Sequence, residues 1–206
     1  MLRSATDSDA HDMAFILVEA FADKFQIIFG SHLEEGRKAM AAELHLRARG
    51  GCLEGAFVVL EQKQPVPFRA VVGVVACRTA ETPRAPLLPL LRVFWREIGP
   101  WGMVRALVGL ALLSGKLAPD ECSIDYLAVR SEWRRQGIGT ALLRQAQGYA
   151  RSQGKRRVTL EVSLRNDRAL RIYQRLGFSP VRRKRSHITG RFFDIPLWLR
   201  MEKRLS

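Results

Sequence analysis

The stretch VRSEWRRQGIGTALL, Val129 to Leu143, sets two glycines among arginines immediately before an apolar helix begins. Glycines at a strand-to-helix junction let the backbone come close to a ligand. The first N–H groups of the helix lack intrahelical partners and carry partial positive charge. Arg134 and Arg135 add full charges, and Thr140 is placed to cap the helix and to offer a hydroxyl. The combination suits a phosphate; a plain glycine turn with solvated arginines is the alternative. Two other phosphate motifs fail on spacing. A dinucleotide fingerprint needs a third glycine where Leu142 stands, and GLALLSGKL, Gly109 to Leu117, has one residue too many for a P-loop and no Ser or Thr after Lys116.

Outward from this loop the pattern alternates. A strand over 123–129 precedes it and a helix over 140–153 succeeds it, stopped by Gly154. Then come a strand over 157–164, a helix over 166–176 stopped by Gly177, and two more strands. Strand, helix, strand in this order implies neighbouring parallel strands with a crossover helix. Upstream, Thr6, Ser8 or Asp9 caps a helix with an apolar stripe at Ala14, Leu17, Val18, Phe21 and Phe25. A second helix runs from Ser31 to about Arg49 with Leu33, Met40 and Leu44 on its stripe. AFVVLEQ and RAVVGVVACRT then read as a hairpin around KQPVPF.

The glycine loop and the segments after it resemble the GNAT superfamily of acyl-CoA-dependent N-acetyltransferases. Arg134-x-x-Gly137-x-Gly139 is similar to that family's first signature. Asn166, Ala169, Tyr173, Gly177 and Phe178, in NDRALRIYQRLGF, are similar to its second. The resemblance implies one α/β domain over residues 1–206, with a mixed central sheet, helices on both faces, and fourth and fifth strands that splay apart. It implies acetyl-CoA as cosubstrate and an amine, on a small molecule or a protein, as acceptor. The pantetheine arm would bond to the backbone of Leu127, Ala128 and Val129. The pyrophosphate would lie on Arg134, Arg135, Gln136, Gly137, Ile138, Gly139 and Thr140, with Asn166 and Tyr173 completing the cofactor side. Tyr173 would be the general acid.

For the base, VTLEVSL alternates, so that Val158, Leu160, Val162 and Leu164 point one way and Thr159, Glu161 and Ser163 the other. Glu161 in its LEV setting resembles the subfamily that acetylates protein amino termini, including ribosomal alanine acetyltransferases. Asp125, on the preceding strand, is the rival base. Residues 86–119 depart from the family pattern as an apolar insert between the third and fourth strands, read as two short helices around IGPWG. Three placements stand for it: over the acceptor mouth with Phe94, Trp95 or Trp101 shaping a pocket, against a second subunit in a homodimer, or packed on its own sheet.

The 206 residues carry 34 Lys and Arg against 20 Asp and Glu, a formal charge of +14, which favours anionic partners. The run Arg182 to Arg185 reads as a solvated strand face rather than a nucleic-acid patch, because no aromatics interleave with it. Cys52, Cys77 and Cys122 lack the spacing of a disulfide framework or a zinc site, so no metal is expected and a reducing cytoplasm fits. The amino terminus lacks a signal peptide's apolar core, and the apolar run Ala106 to Gly115 is far short of the ~20 residues that span a bilayer. The expectation is a soluble cytoplasmic enzyme.

Overall fold

The computed structural model describes residues 1–22, 25, 33–61, 70–83, 86–113, 115–185 and 197–205, with the side chains of residues 101 and 105–113 excepted. Among these residues seven strands form one sheet: β1 (Leu2–Ser4), β2 (Ala56–Leu60), β3 (Val71–Thr79), β4 (Glu121–Val129), β5 (Arg157–Ser163), β6 (Ser179–Arg185) and β7 (Leu197–Arg204). Their spatial order is β1-β2-β3-β4-β5-β7-β6. The β4–β5 pair is parallel and the other pairs are antiparallel. The three-residue β1 is too short to show a period in the sequence. The expected β2–β3 hairpin is present, although its KQPVPF connection lies outside the described residues.

The helices are α1 (Ala10–Ala20), α2 (Leu33–Arg49), α3 (Leu87–Leu113), α4 (Ile138–Ser152) and α5 (Asp167–Arg175). On one face of the sheet, Met13, Ile16 and Leu17 of α1 and Leu44 of α2 pack on Val58, Val71, Val74 and Ala128. On the other, Leu142, Leu143, Ala146 and Ala150 of α4 bury against Val75, Cys122, Ile124, Val158 and Leu160. Each such leucine, removed from water, contributes about 1.5–3 kcal/mol. Of the stripe expected on α2, Leu44 is buried while Leu33 and Met40 are half-buried; the small residues Gly36 and Ala39 make the closer packing. The proposed start of that helix at Ser31 lies outside the described residues.

Alternation along β4 is broken once. Cys77 pairs with Ile124 but Ala76 with Tyr126, which leaves Asp125 as the extra residue of a bulge. Cys122 and Ile124 therefore face α4, whereas Tyr126 and Ala128 belong to the α1 face and Leu127 and Val129 return to the α4 side. The insert forms α3, in which Gly99 at φ 66° divides two helices, as the Gly-Pro reading expected. Its first half docks on α2: Leu90 and Phe94 are buried with Ala39, and Leu46 packs beside them. Trp95 is 59% exposed. The side chain of Trp101 lies outside those described.

Candidate active site

The β4–β5 ladder begins at Glu121↔Arg157 and ends at Ile124↔Leu160. Beyond it β4 continues to Val129 against β3 and β5 continues to Ser163 against β7, so the two strands part at the bulge. Arg130 N–H donates to Val72 on β3. Backbone alternation then turns the N–H and C=O of Val129 and Leu127 toward the gap that β5 has left, and those of Ala128 toward β3. The Val129 carbonyl already accepts a 3.1 Å bond from Arg134 Nε. Of the three residues expected to offer backbone, Leu127 and Val129 present theirs and Ala128 supplies packing.

The loop after β4 runs into α4 through two left-handed residues, Arg135 at φ 66° and Gly137 at φ 80°. Gly137, not Thr140, is the N-cap, and the helix begins at Ile138. The sequence pointed to Thr140 because a hydroxyl is the usual cap, but a left-handed turn puts the glycine there. The first backbone acceptor used inside the helix is the Gly137 carbonyl, from Ala141 N–H. The N–H groups of Ile138, Gly139 and Thr140 thus emerge at the helix start, beside open space where a β-carbon on Gly137 would meet nothing within 4 Å. Such a nest of N–H groups at a positive dipole end fits a phosphate.

A residue the sequence reading missed brings this helix end to the fork. On Gly73 of β3, across from Val129, a β-carbon would lie 2.9 Å from Ile138 Cγ2. Its signal was a glycine inside a valine-rich strand, which marks close approach of another element.

Tyr173 lies on α5, half-buried, with its ring tilted against Phe178 at 5.9 Å. Burial pushes its phenol up to about 12. Asn166 is the N-cap of the same helix, its Oδ1 accepting from Ala169 N–H at 3.1 Å. That bond fixes the helix start, and so the aim of Tyr173 nearly two turns further on.

Glu161 and Asp125 stand one residue beyond the last paired rung, on the two strands that part there. Glu161 is exposed and makes no hydrogen bond or ion pair among the described residues. Asp125 has an exposed main chain but a side chain only 24% exposed, held by Arg78 Nε at 3.1 and 3.2 Å. Burial raises the Asp125 carboxyl above its ordinary value, with Arg78 opposing. Arg78 also donates to the Gly115 carbonyl at the end of the insert. Nearby, Glu43 and Arg47 of α2 form an ion pair, and the buried Tyr126 hydroxyl has no hydrogen-bond partner among the described residues. The Arg47 charge reaches both Tyr126 and Asp125. No sequence signal singled out this group, because α2 and β4 meet only in the fold.

The three cysteines are free and buried, and no group of three His, Cys, Asp or Glu among the described residues could hold a metal. No helix among them is long and apolar enough to cross a membrane.

A mixed sheet that opens beside its parallel pair, with a glycine loop and a helix start at the opening, defines the class as the GNAT acyltransferase fold. The chain belongs to the acetyltransferase (GNAT) family, whose model matches residues 34–178. It is 32% identical over 114 residues to rat N-acetyltransferase family 8 member 3, covering 55% of this chain and 46% of that protein. It is 30% identical over 102 residues to human N-acetyltransferase 8B, covering 50% and 45%. The chain thus matches about half the length of these curated relatives. Among solved structures, one acetyltransferase superposes with a TM-score of 0.67 over the whole of both chains at 24% identity. The ribosomal-protein-S18-alanine N-acetyltransferase of Escherichia coli superposes with a TM-score of 0.54 at 16% identity, over all of this chain and 94% of that one. At these identities the likeness is one of fold.

Proposed function

We propose that this chain is an acetyl-CoA-dependent N-acetyltransferase that passes the acetyl group directly to an amine. The observation that carries the reading is the joining of two features at one place: a strand edge that β5 leaves at Leu127 and Val129, and the N–H nest of Arg135 to Thr140 a few residues on. An extended amide-bearing arm adds to such an edge as a strand does. A pyrophosphate on its far end falls on the helix start.

The acceptor's amine must lose a proton before it attacks, and the departing thiolate must be stabilised. Glu161 takes that proton, directly or through a water, because its carboxylate is at the fork and makes no ion pair among the described residues, while Asp125 is committed to Arg78. Tyr173 serves the sulfur from the opposite face of the sheet, where α5 packs with the α4 cluster. Proton transfer from a phenol at about 12 to a thiolate of ordinary value near 8.5 is uphill by roughly 5 kcal/mol. Tyr173 therefore acts as an acid chiefly by donating its hydrogen bond as negative charge grows on sulfur.

Gly137→Glu tests the placement. Both the left-handed φ and the added negative charge oppose it, so calorimetric titration is expected to show acetyl-CoA binding abolished in a protein that still folds. Unchanged affinity would remove the loop from the site.

A further inference from the structure

Arg200 on β7 is the direct cross-strand partner of Glu161 on β5. Opposite charges so placed ordinarily attract one another. Here they do not meet. Arg200 instead donates through Nη2 to Oε1 of Glu121 at 2.5 Å. Glu121 lies on β4, in register with Arg157, four residues along β5 from Glu161. The same oxygen accepts from Thr159 Oγ1 at 2.6 Å, so the threonine between them completes the hold. Arg157 comes only to 4.0 Å of the other oxygen and is bonded to Asp120 and Glu202 at 3.1 and 3.2 Å.

The competition has a physical cause. Glu121 is only 2% exposed, whereas Glu161 lies open to water. A buried carboxylate that loses its cation is left strongly uncompensated, while an exposed pair loses little. Arg200 goes where the need is greater.

We propose that Glu121 is a positioning residue that draws Arg200 away from Glu161 and so keeps the base at the fork free to accept a proton. This rests on the reading of Glu161 as base. The groups facing Glu161 among the described residues are Arg200 opposite, Glu202 and Trp198 diagonally on β7, Thr159 and Ser163 along β5, and Asp125 with its Arg78 on the far side of the fork. Arg182 of β6 lies beyond Arg200 in register. Arg200 is the nearest of the cations in this register. Set free, it would favour the ionised form of Glu161 and make it a weaker base.

Glu121→Gln retains shape and a hydrogen-bond acceptor but gives up the charge. The expected result, by carbon-detected NMR titration, is a Glu161 midpoint roughly half a unit below that of the wild type, the size of one exposed pair. The acid limb of kcat/KM is expected to move down with it, and kcat near neutral pH to fall about 2–3-fold, as a base weakened by half a unit requires. Adding Arg200→Gln removes the released cation, and should bring the midpoint back. Glu121→Asp, which keeps the buried charge, should titrate close to the wild type and is the control showing that the shift follows loss of the charge. A purely structural Glu121 would lower Tm and leave the Glu161 midpoint within about 0.2 units, which overturns the proposal. Glu161→Gln separates the two ideas. If that variant keeps full activity, the base assignment fails; if it is inactive while Glu121→Gln leaves the Glu161 titration unmoved, only the positioning role fails.

Discussion

Tyr173 holds its proton throughout the range in which an amine acetyltransferase would work, since burial alone sets its phenol near 12. Tyr173→Phe keeps the ring against Phe178 and removes only the donor. Turnover is expected to fall about 10²–10⁴-fold with acetyl-CoA affinity nearly intact, as steady-state kinetics beside calorimetry would show. A variant with full turnover would end that role. The two carboxylates at the fork separate in the same assay. Glu161→Gln should raise the pH at which the reaction becomes efficient, because the acceptor must then lose its proton to bulk water. If Asp125→Asn does this and Glu161→Gln does not, the base is Asp125, acting from within its arginine pair.

At the scale of elements, the corner between β1 and α1 shows how a short unforeseen strand is secured. Burial by itself would raise the Asp9 carboxyl, but bonds from Arg3 at 2.7 Å to each oxygen, and others from Thr6, hold it below its ordinary value. A depressed folded value stabilises above the unfolded one, about 3.9, and that stability is lost as pH falls through the folded value. Asp9→Asn should therefore lower Tm by about 2–6 °C at pH 7, and in thermal melts the difference should shrink as pH falls below about 3.9 toward the depressed folded value. The insert offers a contrast between neighbours. Phe94, 5% exposed, fastens α3 to α2, while Trp95 faces water. Phe94→Ala should cost about 3–5 kcal/mol of local stability and open Leu87 to Ile98 to hydrogen exchange. Trp95→Ala should leave exchange there unchanged.

Over the whole molecule, the excess of 34 cationic over 20 anionic side chains forms a field that favours a polyanionic cosubstrate. Acetyl-CoA affinity should therefore weaken several-fold when ionic strength rises from about 0.05 to about 0.5 M, because the Debye length shrinks to a few ångströms. Titrations at the two salt levels measure this directly. An affinity insensitive to salt would mean that hydrogen bonds to uncharged backbone dominate at the loop.

What could be read from residues alone was whatever depends on local order. Gly137 and Gly139 before an apolar helix, the register from Asn166 to Phe178, and the alternation of Val158, Leu160 and Val162 against Glu161 all arise from backbone conformation and period, which neighbours in sequence determine. The boundary of α4 was two residues off, because left-handed geometry rather than a hydroxyl makes its cap. Other features required elements far apart in the chain to meet. The bulge at Asp125 reverses which face each later residue of β4 presents, and no local pattern announces it. Arg78 claims Asp125 across 47 residues, and Arg200 claims Glu121 across 79. Which carboxylate stays free is settled by competition among buried and exposed charges, and that competition exists only once the sheet has brought β3, β4, β5 and β7 side by side.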